Sequence, residues 1–323
     1  MKAGLLLPHF GERASIEKCI DGALKAEAYG FDSVWVRDHL VFTPHDIEGN
    51  DNTHIEGLVL LSAVAAVTKK LTLGTAMAIC HRHPIHLAQS FAALSRISNG
   101  RVIMGLSLGG FPHEFTAVGL PSALPERARL ARANAALCRR LWSGEKVSYQ
   151  NDYYNFANIE LKPTAVSPIP IWGGGSTPAA CRRVVDYCDG WLPARITLET
   201  FKKRMTYLRE LSLSAGRPMV TAAVMPLTSI ARDKEAALSH VDVKGLIDEA
   251  NKNATWAKPA AGCFSTLDDI DGFLFAGTPL DIVREAHAYQ AAGAELVVFD
   301  LRLRFGDWYQ QIELLGGEVL PAL

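Results

Sequence analysis

The chain has 323 residues, 49% of them hydrophobic and 21% charged, enough apolar material for a large buried core. Lys plus Arg number 33 and Asp plus Glu 34, with no block of like charge, which speaks against nucleic acid or an anionic membrane as partner. The six cysteines form no C-x-x-C pair and a chain this long needs no disulfides, so they read as reduced, buried thiols of a cytoplasmic protein.

The opening "MKAGLLLPHFGER" stops its apolar run at Pro8 without a small-residue cleavage site, unlike a signal peptide. A unit then recurs: a β-rich run, a loop, an amphipathic helix, a glycine. "AGLLLP" is followed by Ser15 and a helix pattern with Cys19, Ile20, Ala23 and Leu24 on one face, closed by Gly30. "SVWV" comes next, then a helix pattern from Glu56 to Thr68 whose apolar run, Leu58 to Val67, is half a membrane span. "LTLGTAMAI" leads to a helix opened by Pro84 and ended by Asn99-Gly100. "RVIMGL" precedes a fourth helix, Pro125 to Trp142.

Strand five, "IPIW", precedes Thr177-Pro178, an N-cap with proline at the first helical position. "DGWLP" is a weak sixth strand, "MVTAAVM" a seventh and "AELVVFDL" an eighth. Thr278-Pro279-Leu280-Asp281 has the form of a capping box, and Gly306 to Leu323 can supply a closing helix. The strands are continuously apolar, as in a parallel sheet covered on both faces. Eight such units predict a single α/β domain over 1–323, a (β/α)₈ TIM barrel, with an open doubly wound sheet as the alternative. Two insertions break the rhythm: a hairpin pattern at about 147–163 and a polar, glycine-bearing excursion at about 233–278.

In a barrel, the C-terminal strand ends carry the chemistry. Asp38 and His39 end strand two. By residue type they suit a capped loop, but their place makes them a proton-transfer pair with Asp38 fixing the imidazole tautomer. After strand three, His81, His83 and His86 lack an acidic or sulfur companion except Cys80, so no metal site is expected and a polar pocket rim is. Gly74, Ala76 and Ala78 leave room for something flat against the backbone. Past strand four, "GLSLGGFPHEF" offers Ser107 and Gly109 as further room, and Glu114 either facing the pocket or exposed on a turn. "IWGGGSTP" sets three glycines and a serine before a helix N-terminus, a place for phosphate. Asp300, Arg302 and Arg304 after strand eight suit either phosphate or surface ion pairs.

Taken in order, "SVWVRDH", "LTLGTAM", "RHPIHLAQSFAALSRISNGRVIMGLSLGG", "PIPIWGGGSTP", "CDGWLP" and "GTPLDIVREAHAYQAAGAELVVFDL" resemble the bacterial luciferase-like oxidoreductases, which use flavin or the deazaflavin coenzyme F420. The resemblance runs from Met1 to about Leu301 and implies a (β/α)₈ barrel. It implies that His39 lies beside the reacting end of the deazaflavin, and that Ala76-Met77 is a non-proline cis peptide against the ring. It also implies that Ser107 and Gly109 flank the ring and ribityl chain, and that Gly173, Gly174, Gly175 and Ser176 meet the cofactor phosphate. One departure stands out: Gly110 replaces the glutamate that follows the strand-four glycine in the family's sugar-phosphate dehydrogenases, leaving Glu114 as the nearby acid.

The implied activity is an F420-dependent reductase or dehydrogenase passing a hydride between the deazaflavin and a small carbonyl, alcohol or unsaturated substrate. His39, Asp38 and Glu114 are its candidate catalytic residues. The alternatives are an FMN-dependent monooxygenase fed by a separate reductase, and a cofactor-binding barrel without turnover. A rim near Phe10, Phe42, Phe111, Trp191 and the stretch from Asn251 to Thr278 suggests an apolar or ring-bearing substrate. The Ala-, Leu- and Val-rich second and third helices suit a homodimer.

Overall fold

The structure is a computed structural model that describes residues 1–44 and 46–323. Along the chain, β1 (Lys2–Leu6) leads through α1 (Ile16–Tyr29) to β2 (Ser33–Val36), and α2 (Gly57–Val67) leads to β3 (Thr72–Thr75) and the short β4 (Ala78–Ile79). Then come α3 (Pro84–Ser98), β5 (Val102–Ser107), α4 (Pro112–Ala117) and α5 (Leu124–Trp142), followed by β6 (Val147–Gln150) and β7 (Asn155–Ile159). The second half runs β8 (Ile171–Gly174), α6 (Pro178–Tyr187), β9 (Gly190–Leu192), α7 (Leu198–Ser214), β10 (Thr221–Val224) and β11 (Leu227–Ile230). It closes with α8 (Lys234–Leu238), α9 (Val243–Lys252), β12 (Leu274–Gly277), α10 (Pro279–Ala291), β13 (Leu296–Phe299) and α11 (Trp308–Leu314).

Among the described residues, eight parallel strands pair in the ring β1, β2, β3, β5, β8, β9, β10, β13 and back to β1. This is the (β/α)₈ barrel, and the open sheet is excluded because both ends of the strand order pair. The strands are continuously apolar because helices cover them outside and side chains fill them inside: all of β2 and β13 is buried. Trp35 on β2 and Trp172 on β8, strands that are not neighbours, bring their rings to 5.6 Å through the interior. Gly74 and Gly190 make this possible, since a Cβ at either would lie 2.2 or 2.5 Å from an indole atom. The barrel is therefore plugged, and a site must sit above the plug at the strand ends.

The helix boundaries follow their caps. Ser15 accepts from the Lys18 N–H, Thr177 from Ala180 and Thr278 from Asp281, the last completed by Asp281 reaching back. Gly30 and Asn99 end their helices in the left-handed region. Three features depart from the expected pattern. The run "LTLGTAMAI" is two strands rather than one, split at Ala76–Met77 by the cis peptide that the resemblance implied. A short helix, α4, follows β5 and carries Glu114 inward. The excursion after residue 230 is bracketed, because β11 and β12 pair in parallel outside the barrel and hold α8 and α9 between them. The other insertion is an antiparallel hairpin of β6 and β7. Five cysteines are buried, whereas Cys263 is exposed. Among the described residues, no helix is long and apolar enough to cross a membrane.

Candidate active site

A cavity of about 820 Å³ opens at the C-terminal mouth of the barrel, within the range of cofactor sites. The strand ends divide it into two sides. On one, past β2, stand Arg37, Asp38 and His39, with Glu114 buried behind His39 and outside the lining. On the other, past β8, lie Gly174, Gly175 and the first turns of α6.

His39 is held at both ring nitrogens. Arg37 Nη2 lies 3.1 Å from Nε2 and Glu114 Oε1 lies 3.3 Å from Nδ1. A guanidinium only donates, so Nε2 accepts and the proton sits on Nδ1, directed at the carboxylate; the tautomer is assigned from these partners. Glu114 is fully buried and its Oε1 also accepts the N–H groups of Leu40 (2.7 Å) and Val41 (3.2 Å). Burial pushes its carboxyl up, but His39 and the two amides outweigh that and keep it below the usual carboxylate range. Two more histidines back the site, with His54 5.4 Å from the His39 ring and 4.8 Å from that of His9. His9 accepts the Arg37 backbone N–H at Nε2 and bonds the Ile55 carbonyl through Nδ1. Burial, reinforced by His54, lowers its pKa to about 3; burial, His39 and Arg37 lower that of His54 to about 4. Both rings are neutral at pH 7.

Asp38 does not orient His39, contrary to the sequence expectation. Its carboxylate accepts from Ile79 N (2.8 Å), Arg82 Nε (2.8 Å) and Arg82 Nη2 (2.6 Å), and Arg82 also reaches Glu56. Burial raises the Asp38 carboxyl, but Arg82 and the amide more than offset this. Asp38 thus ties the β2 tip to the strand-three loop, and Glu114 is the carboxylate that meets the imidazole. Arg37 in turn donates to Glu48 at 2.6 Å. Glu48 also takes Arg302, which pairs with Asp300 (Nε to Oδ1 2.9 Å). Arg304 pairs with Asp307 and donates to Ser229 Oγ at 3.1 Å. The strand-eight cluster is therefore a set of ion pairs, buried rather than on the surface, with Arg302 and Arg304 committed to carboxylates instead of phosphate.

On the opposite side the mouth is built from missing side chains. A Cβ on Gly174 would lie 2.9 Å from Met77 Cγ and 3.2 Å from Ser107 Cβ, so a glycine is what lets Met77 lie there. Gly109 and Gly175 have φ of 72° and 94°, which favour glycine, and Ser107 Oγ accepts the Gly109 N–H. Ala76, Met77, Ser107, Gly109, Gly174 and Gly175 all face the mouth. Gly173 and Ser176 do not line it. A Cβ on Gly173 would meet Val184 of α6 and Cys188 just past its end, and Ser176 Oγ accepts from Trp256 Nε1 at 2.9 Å. Trp191 is not at the rim either: it is fully buried and donates through Nε1 to the Gly175 carbonyl at 2.9 Å, bracing the loop from behind.

Three arginines were not singled out from the sequence: Arg37, Arg82 and Arg183. Arg183 lines the mouth one helical turn after Ala179, and that spacing was the available signal. Its cation beside bare backbone suits a phosphate, and the wall of Met77, Ser107 and Gly174 suits a planar ring. The residues present thus fit a flavin-like group. Among the described residues, no group of three or more His, Cys, Asp or Glu side chains gathers as a metal site.

Comparison with known proteins agrees with this geometry. Residues 1–296 match the model of the luciferase-like monooxygenase family. An F420-dependent glucose-6-phosphate dehydrogenase of Nakamurella multipartita is 35% identical over 194 residues, covering 57% of this chain and 55% of that protein. The chain thus spans about half the length of that relative. An FMNH(2)-dependent dimethylsulfone monooxygenase of Pseudomonas putida is 28% identical over 300 residues, covering 85% of this chain and 80% of that one. Among solved structures, an F420-dependent secondary alcohol dehydrogenase bound to an F420-acetone adduct superposes with a TM-score of 0.81 at 21% identity, covering 99% and 98% of the two chains. The chain belongs to the luciferase-like monooxygenase family.

Proposed function

We propose that this family member is an F420-dependent oxidoreductase acting on a small neutral alcohol, ketone or unsaturated compound. The observation that carries the reading is His39, which lines the mouth with Nε2 accepting from Arg37 and Nδ1 held by Glu114. F420, when bound, supplies a hydride acceptor and donor. Gly174, Gly175 and Arg183 would hold its phosphate, and Ala76–Met77, Ser107 and Gly109 its ring and ribityl chain. His39 Nε2 takes the proton of a substrate hydroxyl, displacing Arg37, and returns it in the reverse direction. Glu114 fixes the tautomer and stabilises the imidazolium that forms. Asp38 acts at one remove, anchoring the loop through Arg82.

The substrate class follows from charge. Arg37, Arg302 and Arg195 each have a carboxylate partner, in Arg195 the Glu249 side chain at 2.7 Å. Phe111 lines the mouth beside His39 together with Leu124, Pro125 and Leu192, while Phe10 and Phe42 pack behind it against Arg37. Such a mouth suits a neutral, partly apolar molecule better than a sugar phosphate, in keeping with Gly110. A second reading, an FMN monooxygenase fed by a separate reductase, is favoured by the greater share of the chain matched by the Pseudomonas putida relative. A second copy of the chain is assigned to α2 and α3, which leave Val59, Val67 and Ile97 exposed.

Parallel titrations with F420 and FMN, each oxidised and reduced, test this reading. Tight binding of F420 followed by turnover of a secondary-alcohol and ketone panel is the expected result. Preference for reduced FMN with oxygen consumption transfers the site to the second reading, and binding of neither overturns both.

A further inference from the structure

A second cavity, of about 540 Å³, shares no lining residue with the first. It lies between the start of α3, the turn after α4 and the tip of the β6–β7 hairpin, and it takes in the histidines of the strand-three loop that the proposed reaction leaves unused. Its polar lining is rich in donors. Arg82 gives Nε and Nη2 to Asp38 and Glu56, and its Nη1 has no partner among the described residues. His83 Nδ1 accepts the Ile85 N–H, so its proton sits on Nε2. Tyr154 and His81 are only 4% and 5% exposed, yet the Tyr154 hydroxyl and His81 Nε2 have no partner among the described residues. Leaving such a buried group unpaired costs about 1–3 kcal/mol, so each can gain from a ligand that reaches it.

Acceptors are scarce on the same walls. The Tyr153 phenol is turned to Glu126 at 2.6 Å, and Asp152 sits at the rim with its side chain 76% exposed. Leu40, Leu87, Val118 and Leu120 supply the apolar part, and His86 and Ser90 complete the polar part. Histidines in a cluster suggest a metal, but the Nδ1 lone pair of His83 is already used by the helix. We infer that this cavity is a second ligand site, for a small molecule that carries a carboxylate on an apolar body. The carboxylate meets Arg82 Nη1, His83 Nε2 and the Tyr154 hydroxyl, and the body lies against the leucines.

Calorimetric titration of the full chain with benzoate, and with benzyl alcohol as its neutral counterpart, tests this with and without saturating FMN or F420. Benzoate is expected to bind whether or not the mouth is filled, and about tenfold or more tighter than benzyl alcohol. Tyr154→Phe should weaken benzoate about two- to tenfold while leaving FMN and F420 affinity unchanged. Leu120→Trp, which fills the cavity without removing a polar group, should abolish benzoate binding. The site is overturned if benzoate fails to saturate the wild-type chain, is displaced by FMN or F420, or binds both variants as well as the wild type. Failure of the titration leaves the cofactor reading intact, because the cofactor arms report on it separately.

Discussion

The two sides of the barrel mouth are built by opposite means. Past β2 and β5, the site consists of side chains that hold one another: Arg37, His39 and Glu114 in one run, Asp38 and Arg82 in another. Past β8, it consists of backbone left bare at Gly174 and Gly175, with Arg183 alone adding charge. The first side is assembled from interactions and fails when a group is taken away. The second is assembled from space and fails when a group is added.

The largest effect should come from the proton side. His39→Ala should lower turnover by about 10²- to 10⁴-fold while F420 affinity changes only a few-fold, as read by steady-state rates beside a binding titration. An equal loss in binding and turnover would place His39 in cofactor capture and erase the division. Next comes Arg82→Ala, which strands the buried Asp38 carboxylate and should cost about 3 kcal/mol, seen as a lower urea midpoint at unchanged slope. Arg82→Lys should recover only part of that loss, because one ammonium cannot repeat the two-pronged contact with Asp38.

Acid should also tell the sides apart. His9 and His54 have folded pKa values of about 3 and 4, below the 6.5 of an unfolded histidine, so the unfolded chain binds the extra protons. Their contribution is fully present above pH 6.5 and is lost as pH falls from there toward 4 and 3. Asp38 and Glu114, held low, add a loss of the same sign that begins below about pH 4. A plot of Tm against pH should therefore decline from about 6.5 downward, and His9→Asn should flatten the upper part of that decline; an unchanged slope would mean the ring is not held neutral. The smallest effect belongs to the glycine side. Gly175→Ala forces a side chain into φ 94°, so about 1–2 kcal/mol of strain should appear as roughly tenfold weaker cofactor binding with His39-dependent proton transfer intact.

The same contrast governs what the chain discloses before it folds. The glycine side was legible as an open turn because "WGGGSTP" is contiguous, with glycines, cap and proline inside seven residues. Even there, Gly173 and Ser176 turn away, since the alternation along β8 faces one toward α6 and Trp256 claims the other. The proton side was legible only as a list of members. Asp38 and His39 are adjacent in sequence, so pairing them was natural, but adjacent residues at a strand end diverge. Each finds its partner far along the chain, Arg82 44 residues away and Glu114 75 residues away.

The sequence by itself determined the eight-unit rhythm, the caps at Ser15, Thr177 and Thr278, and the open glycine turn after β8, because each depends on local backbone chemistry within a few residues. Only the tertiary structure decided that α4 delivers Glu114 rather than Asp38 to His39, that Arg302 is spent on Glu48 and Asp300, and that Arg183 turns into the mouth. Those choices depend on which strand ends the closed barrel brings together, and closure is a property of the whole ring of strands rather than of any one segment.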